Sequence, residues 1–344
     1  MKIAFYLNVV SPHQLPLARE VAGLVGEENF RYVYAEDFLA DRKAMGWNDG
    51  DVSEWCVKGD ETLPELMDAD LVYTGIRCPS LMARRSAVGR KTAYFSERWF
   101  KPIPLCGVFL PGWTRMLSPA YRNMARRMVR LLNEPTMKYL SCGPWSINDM
   151  ELIGLHESQV VPWGYFVAAG RCPEGRVMQG DRLRVLWVGK ISSLKRVDTI
   201  VRAVRIVGDT VELTVIGDGP EKAELERLAA GKAIAFLPSQ PIEKIREIMR
   251  EHDVHVFSSN GMDGWGAVVN EALEEGMYVI GTRETGASST MLPKDALFSS
   301  GDCKRLAALL KRCAEHKRAG TLRGQGIGSW TAKNAAVRLL DLLK

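Results

Sequence analysis

Short apolar runs alternate with segments of helical periodicity from one end of the chain to the other. Residues 2–8 (KIAFYLN), 30–35 (FRYVYA), 69–75 (ADLVYTG), 91–97 (KTAYFSE), 138–143 (KYLSCG) and 159–164 (QVVPWG) read as strands. Between them, 15–25 (LPLAREVAGLV) and 118–133 (SPAYRNMARRMVRLLN) repeat apolar positions every three or four residues and read as helices, the second opened by Ser-Pro. Residues 167–180 (VAAGRCPEGRVMQG) are rich in Gly, carry neither period, and read as a linker. The alternation then restarts. Strands are predicted at 183–189, 211–217, 233–238, 254–259 and 277–282, and helices at 197–208, 221–230, 242–252, 267–276, 303–316 and 329–344.

Strands that alternate with helices form parallel sheets covered on both faces. With 344 residues there is material for two cores. The expected fold is α/β: two Rossmann-like, doubly wound parallel-sheet domains facing a central cleft. The expected boundaries are 1–166 for the first domain, 167–182 for the linker and 183–328 for the second domain. Residues 329–344 are expected to form a helix that packs back toward the first domain. Ligands of such sheets bind beyond the carboxyl ends of the strands, so chemistry-bearing residues are sought there.

Composition narrows the class. The chain is 46% hydrophobic and 25% charged, which excludes a disordered protein. The net charge of +5 is unevenly spread: residues 82–138 hold twelve Lys or Arg against two acids, Glu97 and Glu134. The seven cysteines are scattered, odd in number and contain no C-x-x-C pair, which argues for a reducing compartment without a disulfide framework or zinc site. The apolar start, MKIAFYLNVVSPHQ, breaks too soon for a signal peptide and reads as a buried strand. No apolar run approaches the ~18 residues of a membrane span. A cytoplasmic protein is expected. The five histidines (His13, His156, His252, His255 and His316) lack metal-ligand spacing, and His252 and His255 are expected to be solvated at a helix-to-strand junction.

One stretch stands out, DGWGAVVNE at 263–271. The glycines predict a loop and the following residues a helix, so Asp263 precedes a helix and Glu271 lies in its early turns. A helix start of this kind offers backbone N–H groups and a positive dipole end to an anion. Lys190 directly follows the strand 183–189, and Lys195 comes five positions later. Two cations at a strand-to-helix turn can clamp a diphosphate, or simply stay solvated. The turn Gly217-Asp218-Gly219-Pro220 is composed of ordinary turn residues and departs from the G-x-G-x-x-G dinucleotide fingerprint. Asp49-Gly50-Asp51, an Asp-x-Asp string of the kind that can hold a divalent metal, sits among Gly and Asn and is explained by turn chemistry. No metal site is expected.

Taken in order, these features resemble the retaining glycosyltransferases of the GT-B fold, family four. The series runs Gly189-Lys190 with Lys195, Gly217-Asp218-Gly219-Pro220, Phe236-Leu237-Pro238, Ser258-Ser259, Asp263-Gly264-Trp265-Gly266 and Glu271, then Val279-Ile280, Gly286-Ala287 and Gly301-Asp302. It covers residues 183–315; over the first half the likeness is one of layout. The resemblance implies a nucleotide-sugar donor, UDP- or GDP-linked, and no cofactor. Glu271 would hold the ribose hydroxyls and Asp263 the hydroxyls of the transferred sugar. Lys190 and Lys195 would neutralise the departing diphosphate. Gly189, Gly217, Gly219, Leu237, Pro238 and the segment Gly264, Trp265, Gly266, Ala267 and Val268 would line the donor site. Retention by front-face attack would let the leaving phosphate take the acceptor proton. Three departures from the family pattern are Lys190 for Arg, Asp263 for Glu and Trp265 for Phe, the last expected as a larger ring at the mouth of the site.

In this fold the first domain binds the acceptor. Ser11, His13 and Gln14 after the first strand, Gly75 and Arg77 after another, and Glu97 and Arg98 after a third are its candidate cleft residues. Glu97 is expected either to bind sugar hydroxyls, with a catalytic role, or to pair with a nearby Arg. The basic residues 115–130 beside Phe109, Leu110 and Trp113 fit an anionic membrane surface, at about 1 kcal/mol per basic residue, or a helix with its cations in water. The acceptor would be a glycan or lipid-linked glycan of polysaccharide or lipopolysaccharide biosynthesis, reached at the inner face of the plasma membrane. Nucleic acid is ranked low for want of a binding motif. A nucleotide-sugar-binding protein or epimerase on the same fold, without transferase turnover, is the alternative.

Overall fold

The computed structural model describes residues 1–37, 54–101, 103–105, 108–172 and 175–344. The chain divides into two compact units, Met1–Ala168 with Trp330–Lys344, and Ala169–Ser329.

The first unit is built on a seven-stranded sheet. Its strands are β1 (Ile3–Leu7), β2 (Phe30–Tyr34), β3 (Cys56–Lys58), β4 (Leu71–Thr74) and β5 (Lys91–Ser96), then β8 (Met137–Cys142) and β9 (Val160–Trp163), beyond a short antiparallel hairpin of β6 (Ile103–Leu105) and β7 (Val108–Leu110). The order is β3-β2-β1-β4-β5-β8-β9, with every neighbour parallel. Ile3 pairs with Phe30 on one side and Leu71 on the other, which places β1 centrally, and all five of its residues are buried. A strand covered on both faces has no polar side to alternate, hence the continuous apolar run. The helix Pro119–Leu132 begins on a Ser118 side chain that accepts from the Tyr121 N–H, with Pro at its first position. It buries Ala125, Met128, Val129 and Leu132, the stripe that three- and four-residue spacing produces. The final helix, Ala332–Asp341, belongs to this unit: the Arg338 guanidinium donates to Pro162 O at 2.6 Å and lies over the Trp163 and Trp330 rings.

The second unit carries β10 (Val177–Met178), β11 (Leu183–Val188), β12 (Val211–Ile216), β13 (Ile234–Leu237), β14 (Val254–Phe257), β15 (Tyr278–Thr282), β16 (Leu297–Phe298) and β17 (Leu322–Arg323). Six of them form a parallel sheet ordered β13-β12-β11-β14-β15-β16, the Rossmann order, which reverses between β11 and β14. The helices Val197–Val207 and Cys303–Arg318 bury their apolar stripes against one face, around Trp187, Val185 and Ile280.

Within the stretch 167–182, expected to be a linker, one short strand forms. Its residues Val177–Met178 pair antiparallel with Leu322–Arg323, and Met178 enters the core of the second unit. A two-residue strand is too short to show periodicity, and the Gly content around it reads as coil. The pair Asp49 and Asp51 lies outside the described residues.

Candidate functional site

The reversal of strand order in the second unit brings together the chain leaving β11 and the chain leaving β14. The two loops are tied by backbone. The Asn260 N–H donates to Leu194 O at 2.9 Å, and the Ser258 hydroxyl donates to Lys195 O at 2.6 Å. A third loop, after β12, closes on the first: the Ile191 N–H donates to Asp218 O at 2.9 Å. That contact explains the Gly-x-Gly turn. A Cβ on Gly217 would sit 1.8 Å from Gly189 O, and one on Gly219 would sit 1.9 Å from Ile191 O. These glycines let two backbones touch, a local role that a ligand is not needed to explain. Asp218 is exposed and held at about 2 by the Lys222 ammonium and by Ser239, whose N–H and hydroxyl both donate to it. Leu237 and Pro238 are exposed at the end of β13, and Leu237 O accepts the Gly217 N–H.

Lys195 and Asp263 form an ion pair, and the Ser259 hydroxyl adds a hydrogen bond to the same carboxylate at 2.8 Å. The Lys195 ammonium lies 5.8 Å from the centre of the Phe257 ring. The two residues assigned separate tasks by resemblance are thus each other's partners. Lys190 is exposed at the mouth of the β11 loop. Trp265 departs from expectation. Its ring is fully buried, its indole N–H donates to Asn270 Oδ1 at 2.8 Å, and its own carbonyl accepts the Ala287 N–H. It is a pillar beneath the loop and not a ring at the mouth, because its N–H finds an internal acceptor that a Phe could not use. Gly266 has φ +95, and a Cβ there would strike the Phe257 ring at 2.5 Å.

Glu271 stands in the first turn of the helix Val268–Glu274, 8% exposed. Burial pushes its carboxyl up to about 7, with the Arg246 guanidinium pulling the other way. Arg246 is itself engaged by Glu275, at 2.7 Å, as is Arg250 at 2.9 Å. Glu275 is almost wholly buried, so this cluster pins the helix that carries Glu271. At the helix start the Val269 N–H is taken by Gly266 O and the Glu271 N–H by Ala267 O.

In the first unit, Ser11, His13, Gln14, Gly75 and Glu97 line one open pocket of about 450 Å³, walled also by Phe95 and Tyr165. Glu97 accepts from Lys101 at 2.8 Å and from the Tyr165 hydroxyl at 3.2 Å; its cation is a Lys four residues on, where an Arg was expected. Arg77 and Arg98 are not among the residues lining this pocket. Arg77 lies over the Trp99 ring at 5.0 Å and borders a separate pocket with Ser80, Asn123 and Arg127. Arg98 is drawn aside by the buried Asp149 carboxylate, 3.7 Å away, and packs over Trp145. In the basic stretch, Arg126, Arg127 and Arg130 are exposed, as are Trp113 and Leu117.

The histidine expectation is corrected. His255 is fully buried on β14, with neither ring nitrogen bonded, and burial holds it at about 3. His252 is part-buried, its ring nitrogens 2.8 Å from Ile248 O and 3.0 Å from Thr214 Oγ1. Both were read from the polarity of the side chain, whereas His255 lies on β14, a central strand that buries every residue it carries, and His252 caps the helix Ile242–Glu251 with its ring turned inward to Thr214. Sequence reasoning placed Ser259 in the family series without a task and missed Asn260; both shape the Asp263 loop. Their position directly after the strand 254–257 was the available signal.

Residues 182–316 match the family described as Glycosyl transferases group 1. Over 155 residues the chain is 26% identical to the sulfoquinovosyl transferase SQD2 of Arabidopsis thaliana, covering 43% of this chain and 30% of that protein. Over 127 residues it is 24% identical to the GPI3 subunit of phosphatidylinositol N-acetylglucosaminyltransferase of Saccharomyces cerevisiae, 35% of this chain and 28% of that one. The chain thus spans about 30% of the length of these curated relatives. Among solved structures it is similar to Anabaena HepE in complex with UDP, with a TM-score of 0.63 at 14% identity over 100% of this chain and 97% of that chain. It is similar also to the lipopolysaccharide outer core galactosyltransferase WaaB, with a TM-score of 0.68 at 13% identity over 100% and 99%. At these identities the likeness carries the fold: two Rossmann-like parallel-sheet units, as in GT-B glycosyltransferases.

Proposed function

We propose that this chain is a glycosyltransferase that moves a sugar from a UDP- or GDP-linked donor to a glycan or lipid-linked glycan, with retention of configuration and without a metal. The observation that carries the reading is the Lys195–Asp263 ion pair, which joins the loops after β11 and β14 where the strand order reverses, with Lys190 on the first loop and Glu271 on the helix that follows the second, inside the segment that matches the glycosyltransferase family. Glu271 would accept the ribose hydroxyls. Lys190 and Lys195 would meet the diphosphate, where preset charges stabilise a leaving group without reorganisation. Asp263 would turn from Lys195 to the sugar hydroxyls as the diphosphate takes its place. Retention by front-face attack needs no protein nucleophile, since the leaving phosphate can accept the acceptor proton. The first unit would hold the acceptor, and Glu97 would bind its hydroxyls. HepE crystallises with UDP, and SQD2, GPI3 and WaaB are named for glycosyl transfer; these names support a nucleotide-sugar donor. The exposed Arg126, Arg127 and Arg130 beside Trp113 and Leu117 support contact with an anionic membrane surface, at the cytoplasmic face.

The Lys195–Asp263 pair favours one competing reading, a binding protein whose charges are spent on each other. Two measurements separate them. Thermal unfolding with UDP, GDP and their sugar derivatives tests the pocket: a ligand at 100 times its Kd stabilises by about 2.7 kcal/mol. Release of nucleoside diphosphate from the stabilising donor, with a glycan acceptor and in the presence of a chelator, tests turnover. Stabilisation without turnover across acceptors leaves the binding protein standing; no stabilisation by any nucleotide removes both.

A further inference from the structure

The pocket in the first unit contains a polar group that its own surroundings do not explain. Gln14 is 3% exposed and lines the pocket. Its Oε1 accepts from the Tyr73 hydroxyl at 3.0 Å, and the Tyr73 oxygen in turn accepts from the Trp163 indole N–H at 3.2 Å. Its Nε2 has no hydrogen-bond partner among the described residues.

The amide cannot be turned round at no cost. An indole N–H only donates, so the Tyr73 oxygen must receive it, and the single Tyr73 proton must go elsewhere. Tyr73 is fully buried, and Gln14 Oε1 is the acceptor it has. With the amide reversed, the Tyr73 proton would lie unpaired in the core, a penalty of the kind buried donors incur. The Trp163–Tyr73 relay therefore keeps the carbonyl of Gln14 inward and leaves its NH2 as a donor for whatever enters the pocket. Tyr73 is held flat against Phe95, with ring centres 4.9 Å apart and planes 6° from parallel, so the relay is rigid.

The rest of the lining defines the ligand class. Among the described lining residues Glu97 is the one acid, and none is Lys or Arg. The Glu97 carboxylate is already paired with Lys101 at 2.8 Å and offers a ligand acceptors alone, so a phosphate or carboxylate meets none of the cationic donors it needs on the described lining. A hydroxyl satisfies both ends, since it donates to a carboxylate and accepts from an amide N–H. The Phe95 and Tyr165 rings, edge to face at 6.2 Å, supply apolar walls for C–H groups. A volume of about 450 Å³ lies in the range of small-molecule sites.

We propose that this pocket binds an uncharged sugar ring, and that Gln14, oriented by Tyr73 and Trp163, is a specificity-determining donor to one of its hydroxyls. The proposal rests on the reading of the first unit as the acceptor-binding half, and it names the acceptor group as neutral where it meets Gln14 and Glu97.

The test uses the full chain with ¹⁵N-labelled glutamine. The Gln14 side-chain NH2 signal is assigned by its loss in Gln14→Leu, and the backbone amide spectrum reports folding. The probes are the methyl glycosides of glucose, galactose, mannose and N-acetylglucosamine, with inorganic phosphate as the charged probe. The expected result is a shift of the Gln14 NH2 signal with at least one glycoside and none with phosphate. Gln14→Leu should then weaken that glycoside roughly tenfold. Tyr73→Phe, which removes a hydroxyl that does not line the pocket, should weaken it in the same direction by freeing the amide to turn. Should Gln14→Leu not fold, Gln14→Glu keeps the shape and the acceptor for Tyr73 and should lose the glycoside equally. An NH2 signal indifferent to all glycosides, one that moves with phosphate alone, or unaltered glycoside affinity in both Gln14 variants would each overturn the proposal. Nucleotide binding is measured separately with UDP and GDP. Its failure would remove the transferase reading and leave the outcome at this pocket standing.

Discussion

Replacing Glu271 with Gln should remove the pH dependence that this one residue imposes on the second unit. Its carboxyl stands at about 7 instead of the ordinary 4.5 because folding strips it of water. A group whose pKa is raised on folding adds stability that is complete below its unfolded value. That contribution is lost as pH climbs through the folded value. Below pH 4.5 the side chain is neutral in both states, and Gln is close to an isostere. Above about 7 the folded protein must carry a buried carboxylate, whereas the unfolded chain carries a solvated one. The interval from 4.5 to about 7, at about 1.36 kcal/mol per pH unit, corresponds to about 3 kcal/mol.

The quantity to measure is the difference in opening free energy between Glu271→Gln and wild type, read from amide exchange of β14 and β15 between pH 4.5 and 8. Those strands lie in the centre of the sheet and report global opening of their unit. Taking the difference removes the contribution of His255. That residue is held at about 3 and acts in the opposite sense, adding stability as pH rises from 3 to its ordinary 6.5. The variant should gain about 3 kcal/mol on the wild type across the range. A difference that stays flat within 1 kcal/mol would show that Glu271 is solvated, and a difference of opposite slope would show that a cation holds it ionised.

Other consequences are more direct. Gly217→Ala places a methyl 1.8 Å from Gly189 O, so the two loops must part; the melting transition of the second unit should fall by the equivalent of more than about 3 kcal/mol, and a neutral substitution would refute the close approach. Lys190→Ala should weaken UDP and GDP roughly tenfold in calorimetry, the worth of one charge-assisted hydrogen bond, with the melting curve unchanged because the side chain is exposed. Exchanging Arg126, Arg127 and Arg130 for Glu should abolish sedimentation with vesicles containing anionic lipid and leave neutral vesicles unaffected; equal sedimentation of both proteins would remove the membrane reading.

The fold was legible to the extent that each strand was long enough and buried enough to show itself. β1 is an unbroken apolar run of five residues, β11 is interrupted only by Arg184, and β12 keeps its apolar positions around Glu212 and Thr214; the α/β alternation follows from them. β3, β10 and β17 have two or three residues, below the length at which any period can be read, and the β6–β7 hairpin has three on each arm. Site residues were legible as positions and not as roles. Ser11, His13, Gln14, Gly75 and Glu97 were identified as strand-end residues, and they do share one pocket. Arg77 and Arg98 were identified by the same rule, yet long side chains go where their counter-charges and ring faces are, and Asp149 and Trp99 lie elsewhere. Trp265 illustrates the same limit. Its position in the loop was clear, but the buried acceptor Asn270, five residues on, decides which way its ring points.

The raised pKa of Glu271 has a further consequence for any ligand with vicinal hydroxyls. A hydroxyl donates more strongly to a carboxylate than to a carboxylic acid, so a bound ribose lowers the pKa of Glu271. Linkage then requires binding to expel a proton wherever the free protein still holds one. With the carboxyl at about 7, the free protein at pH 7 is about half protonated, and binding should release up to about half a proton; at pH 9 it should release almost none. Calorimetry with UDP in two buffers of different ionisation enthalpy measures the release. The nucleotide's own titration contributes equally to wild type and Glu271→Gln, so the difference between them isolates the carboxyl. A release that persists in the variant would assign the proton to the nucleotide, and proton uptake in the wild type would mean that the ligand prefers Glu271 neutral and does not use it as an acceptor for ribose.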